Sequence, residues 1–192
     1  MRLPVANKVI TPHGAFGYVR ATSKDGACGV KKVYPCVHKG VDLGGPAGTP
    51  VYAPERLRTT FVAFDNATRP LRGFGPGAIR ALGASGAVHT LGHLDPEWWR
   101  ETTWQLPGSI FEGFRGQTQL PAVDRIYEEG EQVGVMSDAR HVHWQVDIDR
   151  APVDPLLWVT GRLGPPGGSG GAGWGVLLVI GGILYASRNG RR

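Results

Sequence analysis

Apolar and polar residues alternate with a period of two in several short runs of this 192-residue chain: Val51-Tyr52-Ala53, Leu57 to Phe64, Ala78 to Leu82, Ala87 to Leu94 and His141 to Val146. That period, with many β-branched and aromatic members, predicts strands. Turn residues separate the runs, so the pattern predicts a mainly β domain built from short strands. Ala151-Pro152-Val153-Asp154-Pro155 closes it. Along a strand, residues i and i+2 project to one face, which sets His141 beside His143 and places His89 and His93 on a common face. Residues 9–20 are turn-rich, residues 21–32 read as a polar loop, and Glu128 to Val135 leads by a turn into the His141 strand. Residues 95–125 form a longer excursion carrying Trp98, Trp99, Trp104, Phe111 and Phe114. It is expected to form a satellite core in preference to a lip over a groove.

After Trp158 the pattern changes. The stretch from Gly164 to Gly171 reads as a flexible linker, which bounds a folded domain at 1–162 and a linker at 163–171. Ala172 to Ser187 is uncharged and strongly apolar, and 188–192 is a basic tail. At about 1.5 Å per residue the apolar run spans about 24 Å, short of a hydrocarbon core near 30 Å. The preceding glycines extend it, and Trp174 and Tyr185 suit interfacial anchors. Segment 172–187 is therefore expected to be one C-terminal transmembrane helix with the lipid bilayer as its partner. Arg188, Arg191 and Arg192 assign the tail to the cytoplasmic side and the domain to the outside. Residues 1–8 hold no apolar run of signal-peptide length.

Composition narrows the class without choosing a partner. Thirty glycines and 15 prolines favour turns and short strands over long helices. The net charge of +5 is spread along the chain, a surface suited to a polyanion such as wall polymer, nucleic acid or phospholipid. Two cysteines, Cys28 and Cys36, exclude both a disulfide framework and a thiolate zinc site. They either close one small loop or stay as free thiols.

The candidate chemistry lies in histidines and one aspartate. In a fully extended strand His38 and Asp42 would stand roughly 13 Å apart, too far to share an ion. A bend at Gly40 brings both to one point. His38, Asp42 and His143 then supply two nitrogens and one carboxylate and leave a fourth position open, the composition of catalytic zinc. His93 and His141 are left to act as general base and general acid, in either order. His13 reads as structural or exposed, and His89 as a satisfied or exposed strand histidine.

The order of these motifs resembles the lysostaphin/LytM-type zinc endopeptidases that cut peptidoglycan cross-links. The residues that carry the likeness are His38-x-x-x-Asp42, Gly48-Thr49-Pro50-Val51-Tyr52-Ala53, His93-Leu94 and His141-x-His143. Phe16-Gly17-Tyr18, Glu129-Gly130-Glu131-Gln132-Val133-Gly134 and Pro152-Val153-Asp154-Pro155 extend it over roughly residues 9 to 158. The resemblance implies an antiparallel β-sheet or sandwich-like fold with a groove crossed by the substrate peptide. It implies His38, Asp42 and His143 as Zn2+ ligands, with His93 and His141 as the catalytic pair. Leu91 stands where the family usually has an aromatic, the run before His141 is reduced to Ser137-Asp138-Ala139-Arg140, and the 95–125 excursion is longer than usual.

These readings combine into an expected function: a membrane-anchored zinc endopeptidase cleaving peptide cross-links of bacterial peptidoglycan, with no nucleic-acid partner. A wall-degrading domain beside an anchor, without a signal-peptide run, suits the membrane of a bacteriophage particle better than a bacterial envelope. Virion capsid or membrane proteins are then further partners. The alternative on the same fold is a non-catalytic wall-binding, regulatory or structural virion protein.

Overall fold

The alternating runs become strands of a computed structural model, which describes residues 1–6, 9–26, 28, 33–63, 71, 73–99 and 124–162. In chain order these are β1 (Val19–Arg20), β2 (Cys36–Val37), β3 (Val41–Gly44), β4 (Pro50–Tyr52), β5 (Leu57–Ala63) and β6 (Gly77–Gly83). They continue with β7 (Val88–Leu94), β8 (Ile126–Tyr127), β9 (Gln132–Val135), β10 (His141–Ile148) and β11 (Ala151–Val153). The strand order of the main sheet is β11-β10-β7-β6-β5-β8, with β3 also paired to β10; β1–β2 and β4–β9 form two small ribbons. Every pairing is antiparallel.

The eight-residue strand β10 organises the sheet. One of its edges pairs with β7; the other is shared, by β3 over His141 to Trp144 and by β11 over Val146 to Ile148. Its alternation separates two faces. Val142, Trp144 and Val146 are fully buried, while His141, His143 and Gln145 face the opposite way. The buried face packs with Leu91, Ile79 and Leu57 of the sheet, Val51 and Val133 of the β4–β9 ribbon, and Trp158 of the short helix Pro155–Val159. Asp154 caps that helix by accepting from the Leu156 amide at 2.9 Å.

One polar network lies inside this core. His89 is 1% exposed; its Nε2 donates to Glu55 Oε1 at 2.8 Å, because its Nδ1 accepts from the Trp144 indole at 3.3 Å. The amide and hydroxyl of Ser85 bind the same carboxylate at 2.8 and 2.7 Å. His89 is thus a satisfied core histidine. His13 is half exposed and stacks on Tyr18 with ring centroids 4.8 Å apart.

The expectation that His89 and His93 share a face is corrected here. The β6–β7 register runs Gly77 to Leu94 and then Ala78 to Gly92, so His93 is an extra residue on β7. Its φ of 60° is left-handed, the conformation of a β-bulge, and the bulge turns the ring away from the core face occupied by His89 and Leu91. Cys28 and Cys36 form a disulfide, which settles the sequence alternative. From the 95–125 excursion, Trp99 packs into the main core and its indole donates to the Val133 carbonyl at 2.8 Å; residues 100–123 lie outside the described residues. The expected linker, transmembrane helix and basic tail at 163–192 lie outside them as well. Among the described residues no helix is long and apolar enough to cross a membrane.

Candidate metal centre

Register places the first two groups. Asp42 on β3 lies opposite His143 on β10, so their side chains meet on the open face of the sheet. On the other edge of His143 stands Gly92, whose missing side chain admits Phe74; a Cβ there would fall 2.8 Å from the Phe74 carbonyl oxygen. The Phe74 ring then meets His143 edge-on at 5.2 Å between centroids.

His38 reaches the same point through the bend at Gly40. A Cβ at Gly40 would fall 2.6 Å from the Trp144 carbonyl oxygen and 2.7 Å from the His143 ring, so only glycine lets the chain turn this close to β10. The Phe16-Gly17-Tyr18 turn grips His38 from behind. Its backbone exchanges two hydrogen bonds with His38, each of 2.9 Å, and Ala15 offers its carbonyl to His38 Nδ1 at 3.1 Å. A carbonyl only accepts, so the His38 proton sits on Nδ1 and Nε2 presents a lone pair.

Three atoms therefore converge. His143 Nδ1 lies 2.9 Å from Asp42 Oδ1 and 3.0 Å from His38 Nε2, and the last two are 3.2 Å apart. Ligand atoms placed about 2.0–2.1 Å from a tetrahedral centre stand about 3.3 Å apart, a few tenths of an ångström from these separations. Without a cation, one proton on His143 Nδ1 serves two acceptors. The donor set of two imidazoles and one carboxylate fits zinc, and among the described residues these three form a group able to hold a metal. His143 Nε2 is buried without a hydrogen-bond partner. Burial pushes the His143 imidazole below its ordinary value, against the hydrogen bond it donates to Asp42, and so favours the neutral, ligating form. For Asp42 burial acts upward, but the hydrogen bond from His143 and the neighbouring His38 imidazole outweigh it and hold the carboxyl well below the usual range.

The two remaining histidines lie together beside this triangle. His93 and His141 have ring centroids 4.4 Å apart, and both line the same cleft as the triangle, a cavity of about 850 Å3. His141 Nδ1 donates to the Ala139 carbonyl at 2.8 Å, leaving Nε2 as a proton acceptor. Burial, with His141 and His143 nearby, pushes His93 down to about 4. Thus all five residues singled out in the sequence come together, and His93 does so through its bulge.

Sequence reasoning missed Arg20. Its guanidinium binds Asp42 Oδ2 at 2.9 Å, with both side chains nearly buried. No local pattern links an arginine after a turn-rich stretch to a carboxylate 22 residues later; the link is made by folding alone.

Comparison with known proteins gives the fold a context. No family profile and no curated protein matches the sequence. Among solved structures, Csd3 of Helicobacter pylori is similar at a TM-score of 0.50, with 18% identity over 81% of this chain and 33% of that one. A zinc-containing peptidase from Vibrio cholerae gives 0.50 and 16%, over 79% of this chain and 37% of that one. A chain of the SpoIIIAH–SpoIIQ complex gives 0.50 and 14%, over 81% of this chain and 97% of that one. The chain thus spans about a third of the length of the first two. These likenesses, all at 18% identity or less, show that the chain shares the fold of Csd3 and of the zinc-containing peptidase from Vibrio cholerae.

Proposed function

We propose that the protein is a zinc-dependent endopeptidase that hydrolyses peptide cross-links of bacterial peptidoglycan. The observation that carries this reading is the His38–Asp42–His143 triangle with a second histidine pair, His93 and His141, in the same cleft. A structural zinc site closes all four positions with protein ligands, whereas this one offers three beside an open cleft. When bound, zinc supplies Lewis acidity and an acidified water. His38 Nε2, Asp42 Oδ1 and His143 Nδ1 would hold the ion. His141, its Nδ1 proton fixed by Ala139, would accept a proton on Nε2 as general base and donate it to the leaving amine as general acid. His93, neutral near pH 7 and beside His141, orients the reacting carbonyl.

The sequence supports a membrane location for this activity. The apolar run 172–187 beyond a glycine-rich linker supports a membrane anchor, and a wall-degrading domain on such an anchor suits a virion membrane in preference to a bacterial envelope.

Purified full-length chain incubated with peptidoglycan tests the activity. Release of new peptide amino termini, abolished by a chelator, restored by zinc and absent in His141→Ala, is the expected result. Zinc binding without release from walls of several cross-link types moves the protein to a binding or structural role.

A further inference from the structure

Asp42 has two carboxylate oxygens, and they do different work. Oδ1 belongs to the triangle with His38 and His143, while Oδ2 accepts from Arg20 Nη2 at 2.9 Å. The side chains of Arg20 and Asp42 are 11% and 9% exposed, so solvent competes little for the contact. A carboxylate with both oxygens free can rotate or chelate through both. A guanidinium on one oxygen fixes the carboxylate and leaves a single oxygen to offer.

Arg20 is itself held. It occupies β1, a two-residue strand paired only with β2 among the described residues, where Arg20 stands opposite Cys36. A ribbon this short is marginal alone. Cys36 is bonded to Cys28, whose sulfur lies 3.9 Å from the Arg20 carbonyl oxygen. Two residues before Cys28, Gly26 has a φ of +118°, and a Cβ there would fall 3.0 Å from Arg20 Nε and 3.1 Å from Cζ. The disulfide thus holds the backbone on either side of Arg20, through the Cys36 pairing and the Cys28 contact, while the chain at Gly26 passes close to the guanidinium.

We propose that Arg20 is the positioning residue of the metal centre, holding Asp42 as a one-oxygen ligand, and that the Cys28–Cys36 disulfide holds Arg20 in place. This rests on the metal-centre reading above. The competing effect is electrostatic: a guanidinium near the site repels a divalent cation, so removing it tightens binding if charge outweighs orientation. The two effects have opposite signs.

The test is zinc affinity of the full-length chain, measured by competition with a chromophoric chelator, alongside the melting temperature of the metal-free protein. Arg20→Gln is expected to weaken the zinc Kd by roughly 10–100-fold, the usual effect of losing a partner that orients a ligand. Arg20→Lys is expected to recover part of that loss. A Cys28→Ser, Cys36→Ser double variant is expected to weaken zinc binding in the same direction. Unchanged or tighter zinc binding by Arg20→Gln overturns the proposal, as does a lowered melting temperature with native affinity. Where Arg20→Gln does not fold, Arg20→Lys carries the test: a several-fold loss supports positioning by the planar fork, and native affinity overturns it. Native affinity in the double variant removes the disulfide from the proposal. A native chain that binds no zinc fails the metal-centre reading itself and takes this inference with it.

Discussion

His93 shows what one residue's conformation contributes. Its left-handed φ costs a non-glycine residue about 1–2 kcal/mol, and in return the bulge delivers an imidazole to the cleft. There burial holds it near pKa 4 instead of 6.5. Between those values the unfolded chain binds a proton that the folded chain does not, so stability is complete above pH 6.5 and falls as the pH drops toward 4. The shift corresponds to about 3 kcal/mol. Urea melts of metal-free protein at pH 7 and pH 4.5 are expected to show His93→Gln losing less stability on acidification than the native chain; equal losses refute this account. His38 with Asp42 and His141 with His143 were legible as local pairs, and His93 was legible through the order of the motifs. Arg20 was not, because its partner is brought to it from another part of the chain.

At the scale of elements, the site is a product of register. The His143–Asp42 pair exists because β3 occupies the outer edge of β10 over its first four residues. A slip of β3 by one residue sends Asp42 to the core face, away from His143. The backbone of residues 9–14 fixes β3 from outside, with Thr11 donating to the Asp42 carbonyl at 3.0 Å and Asp42 donating to the Gly14 carbonyl at 2.8 Å. Gly40 is the narrowest point of this arrangement. Gly40→Ala puts a methyl against the Trp144 carbonyl and the His143 ring, so the 38–42 segment must move off β10. Such overpacking costs about 1–3 kcal/mol. Thermal melts with and without zinc should show the variant less stable than the native chain and less stabilised by the metal. A native response to zinc contradicts the argument. The bend at Gly40 was read from the sequence, since glycine in a His-x-Gly-x-Asp stretch has few other uses. The bulge on β7 was not, because strict alternation gives no sign of an inserted residue until the partner strand is known.

For the whole molecule, the domain at 1–162 and the segment beyond it form separate questions. The fold of 1–162 depends on a continuous core that runs from β4 and β9 through the sheet to Trp158. The expected anchor rests on the hydropathy of 172–187 alone. Carbonate extraction tests it: the full-length chain is expected to stay with membranes, and a chain ended at residue 162 to wash off. Recovery of the protein from purified, lipid-containing particles supports the virion reading. Its presence only in envelopes of uninfected bacteria refutes it.

The sequence by itself marked the longer strands, the bend and five candidate site residues, because period-two alternation, glycine punctuation and the close spacing of His38 with Asp42 and His141 with His143 are local properties that survive without a fold. Tertiary structure alone decided the rest: which edge of β10 receives β3, that His89 turns inward to Glu55 while His93 turns out, that Cys28 and Cys36 join, and that Arg20 meets Asp42. Each of these depends on which strand lies beside which, and that is fixed by burying one face of the sheet against a shared core.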